Sequence, residues 1–68
     1  MNRKEYLELC QKYSAIPTAN ITVNFDGIKY FPVGYKMTFD KTGNSLHTAI
    51  LKDLRANCIV ECRLDKVT

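Results

Sequence analysis

The sequence has no tryptophan and one histidine, and none of its 68 residues belongs to an apolar run long enough to cross a bilayer. The segment that follows Met1 is charged and polar, unlike the apolar core of a secretory signal. We therefore expect a cytoplasmic protein that does not engage a membrane.

Cysteine is scarce and odd in number, with Cys10, Cys58 and Cys62. Four residues along a strand place the last two about 13 Å apart, which is too far for a disulfide. Zinc sites pair cysteines in a turn rather than along an extended strand, so this spacing does not suit a metal. We expect reduced thiols that fill the core, and no metal site.

The chain offers little for catalysis, because His47 is its only imidazole and its aspartates fall mostly in predicted turns. Nucleophilic catalysis needs a nucleophile, a base within hydrogen-bond reach and a group that orients the base. The three glycines are isolated, so none builds a phosphate-binding loop at a helix N-terminus. We expect a protein that is not an enzyme and needs no cofactor.

Charge and length are those of a small binding module. Ten Lys and Arg residues against seven Asp and Glu residues give a formal net charge of +3, scattered along the chain. The basic stripe that is typical of nucleic-acid binders does not occur, so the charge supports only weak attraction to an anionic partner. Because a domain of this size buries only about 60% of its unfolded surface, a homo-oligomer is an expected source of added stability.

Residues 2–14 are predicted to form a helix, which Asn2 caps with Glu5 three positions later. Pro17 ends it, because the residue before a proline avoids helical dihedral angles. The apolar side chains recur at helical spacing and are expected on one buried face. They are Tyr6, Leu9, Cys10 and Tyr13.

Residues 20–25 alternate between apolar and polar side chains and predict a strand. The dipeptide Asp26-Gly27 predicts a two-residue type I′ hairpin turn, because both positions of that turn need a positive φ. In the resulting register Val23 faces Tyr30, so the apolar faces of the two strands match.

The alternation changes at residues 31–34, where Pro32 removes a ladder donor and Gly34 tolerates unusual dihedral angles. We expect a bulge or bend there, with either two strands, 28–33 and 35–40, or one long kinked strand. The later elements are predicted from composition and alternation. They are a loop over 40–45, a strand over 46–51, a tight or single helical turn over 52–57 and a last strand over 58–64.

These elements predict one domain, 1–68, of the α+β class and mostly β. The helix 2–14 is followed by a small antiparallel barrel of four or five strands over 20–67. The order of the elements, with a single turn before the last strand, resembles that of the Sm-like and Src-homology-type small barrels. The likeness concerns architecture and implies no function by itself.

Three of the seven aromatic residues fall within residues 29–36, between two lysines. Facing solvent, they would form a stacking platform for bases or an anchor for a protein partner; facing inward, they would complete the core. Small cores depend on large aromatic side chains, which favours the core for Tyr30 and Tyr35. Phe31 stays open, because its parity is opposite to that of Ile28 and Tyr30. Polar residues, among them His47 and Arg55, are expected at one rim of the barrel. The candidate residues for binding a ligand or partner are therefore Lys29, Phe31, Tyr35, Lys36, His47 and Arg55.

Residues 1–7, 26–33 and 47–51 resemble parts of short proteins encoded by phages and mobile elements of Gram-positive bacteria. The resemblance implies a setting and transfers no site residues. It implies an accessory protein of the host cytoplasm, such as an inhibitor of host defence that binds a host or phage protein stoichiometrically. Two alternatives stay open: an oligomeric barrel that binds or sequesters a nucleotide or nucleic acid, and a structural or assembly component.

Overall fold

A computed structural model describes residues 1–16, 20–55 and 57–68, and in these the chain forms one helix followed by four antiparallel strands. The strands lie in the order β1-β2-β3-β4 and curl into a half-barrel. The predicted α+β, mostly β architecture is therefore confirmed, with four strands. The elements are α1 (Arg3–Ala15), β1 (Val23–Phe25), β2 (Ile28–Phe39), β3 (Ser45–Asp53), β4 (Ile59–Arg63) and a 3₁₀ turn (Leu64–Lys66).

The helix α1 begins at Arg3, directly after the predicted cap Asn2 and one residue later than the predicted start at residue 2. The side-chain oxygen of Asn2 accepts a hydrogen bond from the backbone nitrogen of Glu5 at 2.8 Å, and its amide donates to the Glu5 carboxylate at 3.0 Å. Ile16 leaves the helical conformation with φ −132° and ψ 80°. Pro17, to which we attributed the end of the helix, lies outside the described residues.

The β1–β2 hairpin has the predicted register, with Val23 opposite Tyr30 and Phe25 opposite Ile28. Asp26 and Gly27 have φ values of 55° and 77°, as a type I′ turn requires. The strand β1 is shorter than the predicted 20–25, because its ladder with β2 starts only at Val23.

The strand β2 runs through the predicted bend without a break. Of the two predicted arrangements, two separate strands or one long kinked strand, the structure has the second. Its register with β3 shifts between Pro32 and Gly34, which leaves Val33 as the extra residue of a bulge. The bulge brings Tyr30 and Tyr35 to the same face although they are five residues apart. Tyr30 is buried and Tyr35 packs against the core as a half-buried residue.

The C-terminal residues pair with the outer edge of β1. Asn24 and Thr68 exchange two backbone hydrogen bonds, of 2.8 and 2.9 Å, and Val67 forms a bridge with Phe25. The 3₁₀ turn at Leu64–Lys66 follows β4, whereas we expected a tight turn or a single helical turn over 52–57. In that segment Asp53 belongs to β3, the described residues 54, 55 and 57 are bends, and Ala56 lies outside the description.

The core lies between α1 and the concave face of the sheet. Tyr6 is its largest fully buried side chain and packs among residues of β1, β2, β3 and the C-terminal segment. The other buried hydrophobic residues are Val23, Tyr30, Ala49, Leu51, Leu64 and Val67. Predicted burial at Cys58 is wrong, because β4 begins at Ile59 and leaves this residue exposed in the preceding turn.

Candidate functional site

The structure distributes the six candidate residues over four places. Phe31 lies against α1, where its ring is 5.1 Å from that of Tyr13 at an interplanar angle of 31°. One face of the Phe31 ring is therefore covered by another aromatic ring of the same chain. Phe31, for which the sequence left the core and a solvent-facing platform both open, thus packs against the helix of its own chain.

Tyr35 and His47 come together on the concave face. Tyr35 lies opposite Ala49 and His47 opposite Met37, so their side chains are diagonal neighbours on β2 and β3. The Tyr35 hydroxyl and His47 Nδ1 form a hydrogen bond, and the two rings stack at a centroid distance of 5.9 Å. This pair fixes the plane of the imidazole.

The second nitrogen of the imidazole points to the start of β3. His47 Nε2 lies 3.4 Å from the hydroxyl oxygen of the exposed Ser45, a long and weak hydrogen bond. The hydrogen-bond partners of His47 in the described residues are thus a phenol and an alcohol. The Nε2 atom remains able to bind an incoming group.

Lys36 does not act as a free cation. Its Nζ atom lies 2.6 Å from Oε1 of Glu61, across β3 on the convex face. Both side chains are about half exposed, so the pair is screened by solvent and adds little stability. The pair nevertheless offsets the positive charge that made Lys36 a candidate for anion binding.

Lys29 and Arg55 meet at the opposite end of the sheet, where they line a cleft of about 490 Å³ together with Ile28 and Leu54. The carboxylate of Asp53 accepts a hydrogen bond from the backbone nitrogen of Arg55 at 2.7 Å, which holds the turn that carries this residue. Both candidate cations are exposed, and the two apolar residues beside them are partly open to solvent.

The far end of the β2–β3 hairpin carries a feature that the sequence analysis missed. We call residues 36–39 and 45–47 the hairpin end. Phe39 is 67% exposed, Met37 44% and Leu46 42%. Alternation correctly places Met37 and Phe39 on the face of Tyr35, but β4 pairs with β3 only from Thr48 onward and covers none of this end.

The loop that joins the two strands at the hairpin end is held by Asp40. One of its carboxylate oxygens accepts hydrogen bonds from the Thr42 hydroxyl, the Thr42 backbone nitrogen and the Asn44 backbone nitrogen, at 2.6, 2.9 and 3.0 Å. These bonds, that from the Thr42 hydroxyl above all, hold the pKa of Asp40 below its ordinary value. The loop therefore keeps a fixed shape and a negative charge.

Comparison with protein-family models, with curated proteins and with solved structures gives no match for this chain. The site is therefore interpreted from its own residues.

All three cysteines are free, but their environments differ. Burial raises the pKa of the Cys10 thiol, which lies beside the Tyr6 hydroxyl, and burial also raises the pKa of Cys62. A raised pKa lowers the population of the reactive thiolate at neutral pH. Cys10 and Cys62 therefore have the chemistry of packing residues.

Two further properties bear on function. In residues 1–16, 20–55 and 57–68, no group of three or more His, Cys, Asp or Glu side chains is placed to hold a metal ion. The helix that the structure describes is neither long enough nor apolar enough to span a membrane.

Proposed function

We propose that this protein is a non-catalytic binding protein, which occupies a protein partner stoichiometrically through the hairpin end. The observation that carries the proposal is the exposure of Phe39, 67% of whose surface is open to water although it is one of the largest apolar side chains in the chain. Met37 on the same face and Leu46 on the other are also exposed.

Exposed apolar residues are common singly, but clustered ones mark interaction surfaces. The hairpin end groups Met37 and Phe39 on one face of two paired strands and carries Leu46 on the other face, and the Asp40 loop holds its tip. Aromatic and methionine side chains are enriched at the centres of protein interfaces, where their burial supplies much of the binding energy.

Local charge favours a protein over a nucleic acid at this surface. The positive charge of Lys36 is offset by Glu61, and Asp40 remains negative beside Lys41. Nucleic acid binding needs a net positive surface that contacts phosphates. The hairpin end instead offers apolar area with little net charge.

The resemblance to short phage and mobile-element proteins supplies the biological setting of the proposal. The resemblance implies an accessory protein such as an inhibitor of host defence, and inhibition of a host defence protein is the form that we propose here. A rigid hairpin with exposed apolar side chains is suited to that role, because binding would require little reordering of the chain.

The proposal is tested by affinity capture with a matched pair of variants. Phe39→Ser removes the exposed ring of the hairpin end, whereas Ile59→Ser removes an apolar side chain of similar exposure, 58%, from β4. The tagged wild-type protein and each variant are expressed in the native host, and the proteins bound to each are quantified by mass spectrometry. Native mass measurement of the purified complex gives its stoichiometry.

We expect one protein to be retained in an equimolar complex by the wild-type chain and by Ile59→Ser, and lost with Phe39→Ser. Equal retention by all three chains would show that the hairpin end is not the interface. Failure of the wild-type chain to retain any protein at equimolar ratio would contradict the proposed function itself.

A second candidate function, binding of a nucleotide or nucleic acid, is favoured by one observation. Lys29 and Arg55 line the same cleft, next to apolar side chains against which a base could pack. An electrostatic contact with phosphates predicts an affinity that falls steeply as salt rises. Binding of a fluorescent single-stranded oligonucleotide, measured at increasing salt with Arg55→Gln and the control Lys12→Gln, distinguishes this function from the first.

A further inference from the structure

A separate cleft of about 280 Å³ lies where the start of α1, the start of β3 and the 3₁₀ turn meet. Its polar lining includes Arg3, Ser45, His47, Arg63 and Asp65, which come from segments that are far apart in sequence. Neither Arg3 nor Arg63 was a candidate in the sequence analysis, because only folding brings these two residues to the same cleft as His47. This cleft adjoins the hairpin end and shares Ser45, Leu46 and His47 with it.

Residues that carry hydrogen-bond donors line the cleft from three elements. Arg3 comes from α1 and forms no ion pair within the described part of the chain. Arg63 comes from the end of β4, and its Nη2 atom donates to Asp65 at 3.0 Å, which orients the guanidinium while its other N–H groups stay available. His47 comes from β3, with its ring plane fixed by Tyr35.

We propose that this cleft binds a phosphate group, either as inorganic phosphate or as the phosphomonoester of a mononucleotide. Phosphate presents oxygens in a tetrahedral arrangement, which donors on several sides of a cleft can satisfy together, whereas the two oxygens of a carboxylate lie in one plane. Guanidinium groups suit phosphate oxygens because they present several N–H donors in a fixed geometry.

The size and charge of the cleft agree with this ligand class. A volume of about 280 Å³ equals roughly nine water molecules, which accommodates a phosphate with part of an attached sugar. Arg3 and Arg63 contribute two positive charges and Asp65 one negative charge, so an anion meets a net attraction. The Ser45 hydroxyl and His47 Nε2, which make only a long contact with each other, add two further hydrogen-bonding groups.

The proposal is tested by titrating the protein with sodium phosphate at constant ionic strength, with chloride as the balancing anion, and following amide and imidazole NMR signals. We expect saturable shifts at Ser45, His47 and Arg63. Arg3→Gln and Arg63→Gln each remove a charged donor, and the loss of such a bond weakens binding by about tenfold or more. Lys12→Gln, with the same charge change at the other end of α1, should change the affinity by less than about twofold.

A variant with the opposite effect separates binding from folding. Asp65→Asn removes the carboxylate from the cleft and should tighten phosphate binding, whereas partial unfolding would weaken it. Equal weakening by Lys12→Gln and Arg3→Gln, shifts that continue without saturation, or no gain with Asp65→Asn in a chain that keeps the native spectrum would each overturn the proposal.

Parallel titrations identify the source of the phosphate group. Adenosine monophosphate that binds more tightly than inorganic phosphate, with no binding of adenosine, supports a mononucleotide. Equal affinity for inorganic phosphate and the monophosphate supports free phosphate. Adenosine that binds as well as its monophosphate would show that the phosphate group is not recognised, and would overturn the proposal.

Discussion

The hydroxyl of Tyr6 donates a hydrogen bond of 2.7 Å to the carbonyl oxygen of Gly34, directly after the bulge in β2. The same hydroxyl lies 3.0 Å from the carbonyl oxygen of Ile50, the residue opposite Gly34 on β3. One buried side chain of α1 therefore joins the helix to both strands where their register shifts. The helix thereby contributes to the geometry of the sheet as well as covering it.

Replacing Tyr6 with phenylalanine should destabilise the protein by about 1–3 kcal/mol, because it removes the donor from two buried carbonyl groups and leaves the ring in place. In a domain of this size the Tm should fall by roughly 4–8 °C for each kcal/mol. Thermal unfolding followed by circular dichroism measures the shift. Tyr13→Phe, in the same helix, should change the Tm far less, and equal shifts for the two variants would contradict the role of the Tyr6 hydroxyl.

Stability should decline in alkaline solution. Burial raises the pKa of Tyr6 above its ordinary value of 10.0, and burial raises the pKa of Cys10 and Cys62 above 9.0. The unfolded chain then releases these protons at lower pH than the folded chain does. The free energy of unfolding is therefore unaffected by these groups below about pH 9 and falls as pH rises above it.

Urea unfolding at pH 7, 9 and 10.5 tests this dependence. The free energy of unfolding of Cys10→Ala should decline less between pH 9 and 10.5 than that of the wild-type chain, because this variant lacks one of the two thiols whose pKa is raised by burial. Cys58→Ala should follow the wild-type curve, because that side chain is exposed. A wild-type curve that is flat or rises over this range would contradict the prediction.

The turn between β1 and β2 should be sensitive to a single methyl group. Gly27 has a φ of 77°, and a Cβ atom there would meet no other heavy atom within 4 Å. Gly27→Ala should therefore cost about 1 kcal/mol through backbone conformation alone. Asp26→Asn, at a φ of 55°, should be neutral within about 0.5 kcal/mol, because asparagine readily adopts this region. Chemical unfolding measures the stability of both variants. A Gly27→Ala variant that is as stable as the wild-type chain would contradict the prediction.

Two apolar residues of the β2–β3 pair should differ sharply in their contribution to stability. Leu51 is fully buried, and Leu51→Ala should cost about 2–5 kcal/mol, enough to unfold much of a small domain. Phe39→Ser should change stability by less than about 0.5 kcal/mol, because the ring is already mostly in water. Urea midpoints test this, and a large loss with Phe39→Ser would mean that its ring packs in the core.

Local signals in the sequence predicted much of the fold. The cap at Asn2, the turn at Asp26-Gly27 and the bulge near Pro32 each depend on backbone rules that act within a few residues. The register of the β1–β2 hairpin followed from the turn, because a two-residue loop leaves one way to match the apolar faces.

Burial at the hairpin end could not be predicted in the same way. Alternation assigns Met37 and Phe39 to the face of Tyr35, but the core packed on that face includes Tyr35 and neither of these two residues, and its extent depends on how distant segments of the chain pack. The helical turn after β4 was missed because Leu64 and Asp65 continue the alternation of the strand before them.

The candidate site was predicted only in part. Residues that are close in sequence, such as Phe31 and Lys36, were grouped together, yet the bulge and the two faces of β2 send them to different neighbours. Tyr35 and His47 were both candidates, but their hydrogen bond depends on the pairing of β2 with β3. Arg3 and Arg63 were not candidates, because nothing local links a helix start to the end of the last strand.

The pairing of Asn24 with Thr68 also bears on how the chain acquires its structure. Leu64 and Val67 are core residues, so the hydrophobic centre is complete only when the segment 64–67 has packed against the rest of the chain. The helix α1 and the β1–β2 hairpin depend on contacts within a few residues, whereas this segment pairs with β1 from far along the sequence. Contacts between such distant segments slow folding, because a long loop must close before they form.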